Sequence, residues 1–347
     1  MRVESRAPAR VDLAGGTVDI WPLYLFHPGA QTVNIAIRNY ASSVVETRSD
    51  RRIVLVSRDQ KIQESFDSFS DLARGRSSLP LLRELVLFFE PRRGVTVETA
   101  SEVPAGAGLG GSSALNIALC GALARVTGKH YPRAQLLEIA KNVEAIVIQV
   151  PTGWQDYFPA LYGGASAVHL GRDGVRREKL QVSFADLEEH FVLCYTGMPR
   201  DSAINNWEVM KAHIDGDPKV RRNFNQITAI ATRMREALLA HDWNDVARLL
   251  AQEWMNRKRN FKGISTPKID CMIEQTKKHG TLAAKVCGAG GGGCVVFLVE
   301  AGTKPTVESE LVRLGGQIIN FAVSRTGLEV RSDDSESLWE TGGTERR

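Results

Sequence analysis

Between residues 2 and 60 apolar and polar positions partly alternate and β-branched side chains are frequent, so Gln31–Ile37, Ser42–Thr47 and Arg52–Ser57 read as strands joined by short turns. The chain starts as a sheet. Val95–Thr99 repeats that pattern, whereas Leu79–Phe89, Ala114–Val126 and Ala134–Ile148 carry apolar residues at helical spacing. Gly128 is placed to end the second of these helices and Pro132 to start the third. Apolar periodicity lapses at Gly171-Arg-Asp-Gly174. Beyond it a strand at Phe191–Tyr195 precedes a helix-rich stretch, in which Val220–His241, Trp243–Phe261 and Pro267–His279 read as helices joined by short turns. Two further strands, Leu282–Cys287 and Cys294–Val299, flank a glycine run. The pattern predicts an α+β protein with domains at 1–172 and 173–330. Residues 331–347 read as a polar tail, mobile from Ser332 onward.

Composition narrows the partners. With 347 residues, 43% of them hydrophobic, the chain can bury two cores of ordinary size around one cleft. The net charge is only +4 and is spread along the sequence, which argues against a nucleic-acid surface and suits an anionic small molecule. The five cysteines are widely spaced and mostly within apolar runs, as buried thiols in a reducing compartment would be. No run approaches transmembrane length and Met1-Arg-Val-Glu-Ser-Arg lacks a signal-peptide core. The expected setting is the cytoplasm, with no membrane or nucleic-acid partner; a homodimer stays open.

The chemistry concentrates in Pro104-Ala-Gly106-Ala-Gly108-Leu-Gly110-Gly111-Ser112-Ser113-Ala114, a glycine loop running from a strand into an apolar helix. Unpaired amides at a helix start and side-chain-free backbone make a cradle for phosphate. Ser112 and Ser113 fit either as N-caps or as ligands to a phosphate-bound metal. A dinucleotide fingerprint fails here, because Glu102-Val-Pro104 parts the loop from its strand and no acidic residue ends a second strand about 20 residues on. A P-loop fails too, since no lysine lies between Pro104 and Gly128.

What remains, Pro-x-x-x-Gly-Leu-Gly-x-Ser-Ser-Ala, resembles the signature loop of the small-molecule kinases that include galactokinase, homoserine kinase, mevalonate kinase and phosphomevalonate kinase, the GHMP kinases. Two more motifs match in order. Ala7-Pro-Ala-Arg10 followed by Asp19 resembles the galactokinase-type opening, and Lys285-Val-Cys-Gly288-Ala-Gly290-Gly291-Gly-Gly293 resembles the family's second glycine loop. The resemblance spans about residues 6–325. It implies a two-domain fold, a mixed-sheet N-terminal domain and a helix-rich α/β C-terminal domain with the site in the cleft between them, and it implies ATP and Mg2+.

Residue by residue, the resemblance puts phosphate binding on Gly106, Gly108, Gly110, Gly111, Ser112 and Ser113, magnesium on Ser112 and Glu144, and the catalytic pair on Asp156 and Arg10. Asp19, with Gly16 and Thr17 beside it, would meet sugar hydroxyls, and Gly288, Gly290 and Gly291 would close on phosphates and substrate. Taken alone, Glu144 equally suits an exposed helix position, Asp19 a solvated turn, and Trp154 a core wall. Gly16 and Thr17 stand where galactokinases have Glu-His, and Gly111 where the family usually has Ser or Thr.

Among these kinases, Ala-Gly-Gly-Thr-Val-Asp19, Thr196-Gly-x-x-Arg200-x-Ser and Trp254-x-Asn-Arg257-Lys258-Arg259 look most like the bacterial heptose kinases. Those phosphorylate the anomeric hydroxyl of D-glycero-D-manno-heptose 7-phosphate toward activated heptose for capsule and surface polysaccharide. A substrate that already bears a phosphate needs cations, for which Arg200 and the run Arg257-Lys258-Arg259 are the candidates, although taken alone such a run suits a solvated helix face. An unphosphorylated sugar of the fucose, galactose or N-acetylhexosamine type is the alternative acceptor, and a kinase-like sugar sensor without turnover is a further one.

Overall fold

The computed structural model describes residues 1–199, 202–260, 263–333 and 340–341, with the backbone alone at 202–205 and 340–341. The first half begins with β1 (Arg2–Ala14), β2 (Gln31–Thr47), β3 (Ile53–Ser57) and β4 (Ile62–Phe66). It continues through α1 (Phe69–Arg74), α2 (Pro80–Phe89), β5 (Val95–Ser101), α3 (Gly111–Thr127), α4 (Arg133–Ile148), α5 (Tyr157–Tyr162), β6 (Ala165–Gly171) and β7 (Gly174–Lys179). The second half holds α6 (Phe184–His190), β8 (Phe191–Tyr195), α7 (Ser202–Ile214), α8 (Pro218–Leu239), α9 (Trp243–Asn260) and α10 (Pro267–Thr276). It ends with β9 (Thr281–Val286), β10 (Cys294–Val299), α11 (Lys304–Arg313), β11 (Gln317–Ile319), β12 (Glu329–Ser332) and β13 (Glu340–Thr341).

Among the described residues the first sheet runs β13-β12-β1-β2-β5-β3-β4, with β6 and then β7 added along the far end of β2. Its pairings are antiparallel except β3 with β5, so the sheet is mixed. The second sheet, β11-β8-β10-β9, is antiparallel throughout. Helices α2, α3, α4 and α5 pack against one another and α3 lies on β1 and β2. Leu119, Leu123 and Ile117 of α3 are fully buried there.

The pleat of β1 positions the site. Past a register shift between Pro8 and Ala9, the odd residues Ala9, Val11 and Leu13 enter an apolar core shared with β2, β8 and β10. Successive side chains on a strand point to opposite faces, so Arg10 and Asp12 emerge together on the other face. Both are buried.

The end of the chain departs from the sequence reading. Residues 329–332, assigned partly to a mobile tail, form β12, which pairs with β1 from Val3↔Ser332 to Arg6↔Glu329. The approach to that strand is also tied down: Gly164 N–H donates to Ser324 O at 2.7 Å and Leu328 N–H to Leu161 O at 3.2 Å. Most of the rest of that segment lies outside the described residues. Among the described residues no helix is long and apolar enough to cross a membrane.

Candidate active site

The glycine loop enters α3 as the sequence predicts, but its serines do not cap the helix. The N-cap is Gly110, in the left-handed conformation (φ 68°), and Ser112 and Ser113 fall inside the first turn. A Cβ on Gly110 would come within 3.3 Å of the Asp156 side chain, so a glycine is what lets the loop close on that carboxylate. The second glycine loop docks on the first. Cys294 N–H donates to Ala107 O at 2.7 Å, and a Cβ on Gly293 would lie 2.6 Å from the same oxygen.

Two cavities meet at these loops. One, of about 470 Å³, is lined by the whole run from Ser101 and Val103 to Ser113, with Asp59, Gln60 and Leu79 on its far walls. The other, of about 200 Å³, is lined by Arg10, Thr17, Asp19, Asn206 and Gly288 among others. Ser112, Ser113, Glu144 and Asp156 line both. The two cavities therefore adjoin at these four side chains.

Each of the carboxylates there has a distinct environment. Arg10 donates through Nε and Nη2 to Asp156 Oδ1 at 2.8 and 2.6 Å, and through Nη1 to Gly108 O at 2.5 Å. Burial works against the Arg10 charge, but Asp156 and Asp12 outweigh it and hold the guanidinium above its ordinary pKa. Glu144 is buried, and its Oε2 accepts from Ser113 Oγ at 2.8 Å and from the Tyr157 hydroxyl. Burial raises its pKa against those two hydrogen bonds, and nearby Asp156 raises it further. Asp19 is pushed up to about 6 by burial even though its Oδ2 accepts from Gln155 N–H at 2.9 Å.

A junction rich in buried carboxylate oxygen suits a hard divalent cation. Magnesium is usually held by one or two carboxylates, waters and substrate phosphates, and Glu144 with the Ser112 hydroxyl offers that donor set. Among the described residues no cluster of three or more His, Cys, Asp or Glu side chains competes as a metal site.

The other sequence candidates scatter. Thr17 lines the smaller cavity in a left-handed conformation (φ 73°), costly for a β-branched residue, and its hydroxyl donates to Asn206 Oδ1 at 3.1 Å. Gly16 packs instead on the cluster below: a Cβ there would lie 2.3 Å from Arg257 Nη1. Arg257, expected to anchor a substrate phosphate, is 3% exposed and donates through Nη2 to Gly288 O at 2.7 Å and Thr17 Oγ1 at 3.3 Å. It sits behind the cavity wall. Lys258 turns away to α10, its ammonium 2.6 Å from Asp270 Oδ1. Gly290 and Gly291 lie against Ile264 rather than in either cavity, with Gly291 N–H donating to Ile264 O at 2.8 Å. Trp154 is a buried wall with Lys141 above its ring, not an exposed stacking surface. Arg200 lies outside the described residues.

Four neighbours escaped the sequence reading: Asn206 in the smaller cavity, and Asp12, Lys285 and Glu253 beneath it. Asp12 was open to inference, because a polar residue two places after Arg10 on one strand shares its face. Lys285 carries a charge into an apolar strand, and Glu253 stands one helical turn before Arg257. Each signal implied burial with a partner but named none.

Two family models match segments of the chain that carry the glycine loops, Glu144 and Asp156. Residues 79–164 match the model for the GHMP kinases N terminal domain and residues 234–316 the one for GHMP kinases C terminal. A D-glycero-alpha-D-manno-heptose 7-phosphate kinase of Campylobacter jejuni is 25% identical over 94% of this chain and 98% of its own length. A mevalonate kinase of Thermococcus sibiricus is 26% identical over 95% and 98%. The crystal structure of a D-glycero-D-manno-heptose 1-phosphate kinase from Bacteroides thetaiotaomicron superposes with a TM-score of 0.76 at 24% identity, covering 96% of this chain and all of the other.

Proposed function

The chain belongs to the GHMP kinase family, and from that premise we propose that it is an ATP-dependent sugar 1-kinase whose acceptor is D-glycero-D-manno-heptose 7-phosphate. The observation that carries the kinase reading is the junction: Ser112, Ser113, Glu144 and Asp156 line both the cavity walled by the phosphate-type loop and the smaller one beside it. In this reading ATP lies along the glycine loop and the sugar lies against Asp19, Thr17 and Asn206.

The acceptor C1 hydroxyl attacks the γ-phosphorus of ATP; its oxygen forms the new O–P bond, the bond to the β,γ-bridging oxygen breaks, and ADP leaves. Asp156 orients that hydroxyl and takes its proton. Arg10, locked on the other side of the carboxylate, balances the charge and offsets what develops on the attacking oxygen. Glu144 and Ser112 would hold magnesium, which supplies charge neutralisation at the phosphates. The product is the 1,7-bisphosphate.

One observation favours a second reading, an unphosphorylated sugar. Among the described residues the charged side chains lining the smaller cavity are Arg10, Asp19, Glu144 and Asp156, and Arg10 is already committed. Carboxylates suit hydroxyl donors, not a phosphate, so a 7-phosphate anchor falls to Arg200. A coupled ADP-release assay with heptose, heptose 7-phosphate, fucose, galactose and N-acetylhexosamines decides between them. Turnover of heptose 7-phosphate well above its dephosphorylated form is the expected result; equal use of both abandons the sugar-phosphate acceptor, and ADP release with none abandons the sugar-kinase reading.

A further inference from the structure

Beneath the smaller cavity lies a cluster of charges that phosphoryl transfer does not itself consume. Its centre is Asp12, fully buried on β1. Lys285 of β9 donates its ammonium to Asp12 Oδ2 at 2.6 Å and to the Asp12 carbonyl at 2.7 Å, and Gly288 N–H donates to Oδ1 at 2.7 Å. Arg10 Nη1 stands 3.5 Å from Oδ1 and Arg257 Nη1, of α9, 3.7 Å from Oδ2. A single carboxylate thus gathers three cations and a loop amide from β1, α9, β9 and the β9–β10 loop, so it joins the two halves of the chain at one point. Burial opposes its charge, yet the cations, Lys285 foremost, hold its pKa down to about 2.

We propose that Asp12 is a positioning residue for the transfer: it fixes the Arg10 fork on Asp156 and the Gly288 peptide in the wall of the acceptor cavity. The Arg10 fork is held on both sides, by Asp156 at Nε and Nη2 and by Gly108 O with Asp12 at Nη1. Gly288 is held through the peptide groups on both its sides, its N–H by Asp12 and its carbonyl by Arg257. A fork free to tilt or a peptide free to turn moves the reacting geometry, and a misplacement near 1 Å costs about 10²-fold in rate. The proposal rests on the reading of Arg10 and Asp156 as the reacting pair.

The test is the kinetics and thermal unfolding of Asp12→Asn, Lys285→Met and the double variant, each built on Arg10 and on Arg10→Lys, with Asp156→Asn run in parallel. Asp12→Asn keeps the shape but leaves three cations facing an amide, so both Tm and kcat fall, kcat by about 10²-fold. The double variant removes one charge of each sign. Replacing a buried pair as a whole is tolerated far better than breaking it, so Tm recovers while kcat stays low. On Arg10→Lys the Asp12→Asn loss in kcat shrinks to a few-fold, because the fork it positions is gone. A double variant that recovers both Tm and kcat, or a kcat loss of the same factor on both backgrounds, leaves Asp12 a purely structural ion and overturns the proposal. Should Asp12→Asn not fold, the double variant alone decides, by whether a folded protein turns over slowly or normally. Normal turnover by Asp156→Asn sinks the reacting-pair reading and the proposal with it, whereas equal Asp12→Asn losses on both Arg10 backgrounds sink the proposal alone.

Discussion

Arg10 places two of its donors, Nε and Nη2, on a single oxygen of Asp156, at 2.8 and 2.6 Å. The guanidinium is buried while the Asp156 side chain keeps 24% of its surface exposed. The cation is therefore sealed into the protein and the anion opens on the cavities. Both bonds fall on Oδ1, which leaves Oδ2 for an acceptor hydroxyl.

Asp156→Asn tests that division. The amide has the shape of the carboxylate but neither its charge nor its basicity, so acceptor affinity should stay within a few-fold while kcat falls by about 10²–10⁴, the usual range for a general base. Binding by calorimetry and turnover by ADP release separate the two. A loss under about tenfold reduces Asp156 to alignment of the hydroxyl.

Glu144→Ala should lower kcat strongly and raise the magnesium concentration needed for half-maximal rate. It also strips Ser113 and the buried Tyr157 hydroxyl of their acceptor, a cost of about 1–3 kcal/mol that a fall in Tm should report. Near-normal turnover at ordinary magnesium would remove Glu144 from the metal assignment.

Asp19 gives a pH signature. Burial pushes its carboxyl up to about 6, so acid converts it from a pure hydrogen-bond acceptor to a mixed donor and acceptor as the pH drops through that value. The acceptor KM should rise below pH 6 while the ATP KM stays level, and Asp19→Asn should raise the acceptor KM and flatten its pH dependence. If the ATP KM moves in parallel, the effect is not in the sugar cavity.

Glu253 gives the opposite kind of readout, in stability. Its carboxyl is fully buried, Oε1 accepts from Gly15 N–H at 3.2 Å, and burial pushes the pKa up to about 7. A folded-state pKa above the unfolded one means the folded chain binds the extra proton. Its contribution is greatest below the ordinary glutamate range and is lost as pH rises through 7, on the order of 3 kcal/mol in all. Glu253→Gln should raise Tm at pH 8 and leave it nearly unchanged at pH 4.5. Equal shifts at both values would place the effect elsewhere.

How far the sequence could be read depends on the range of each signal. The glycine loop, its helix and Gly128 as the left-handed C-cap were legible because their causes are local. Asp156 and Arg10 could be paired only through family resemblance, since 146 residues separate them and no spacing rule brings them together. The basic run misled for a physical reason. Arg257, Lys258 and Arg259 are consecutive on a helix, so they point in three directions: Arg257 is buried toward Asp12, Lys258 turns to Asp270, and Arg259 is exposed. β12 escaped because its strand signal is short and its partner is the first strand of the chain.

That last pairing bears on how the protein is made. While a ribosome synthesises the chain, β1 emerges well before β12, so its Val3–Arg6 edge finds that partner only after Ser332 has been added. Until then the nascent first half presents a row of unsatisfied backbone donors and acceptors, the kind of edge that recruits neighbouring chains. The first half thus waits on the end of the second, and early translational arrest yields a fragment with an open sheet, not a finished domain.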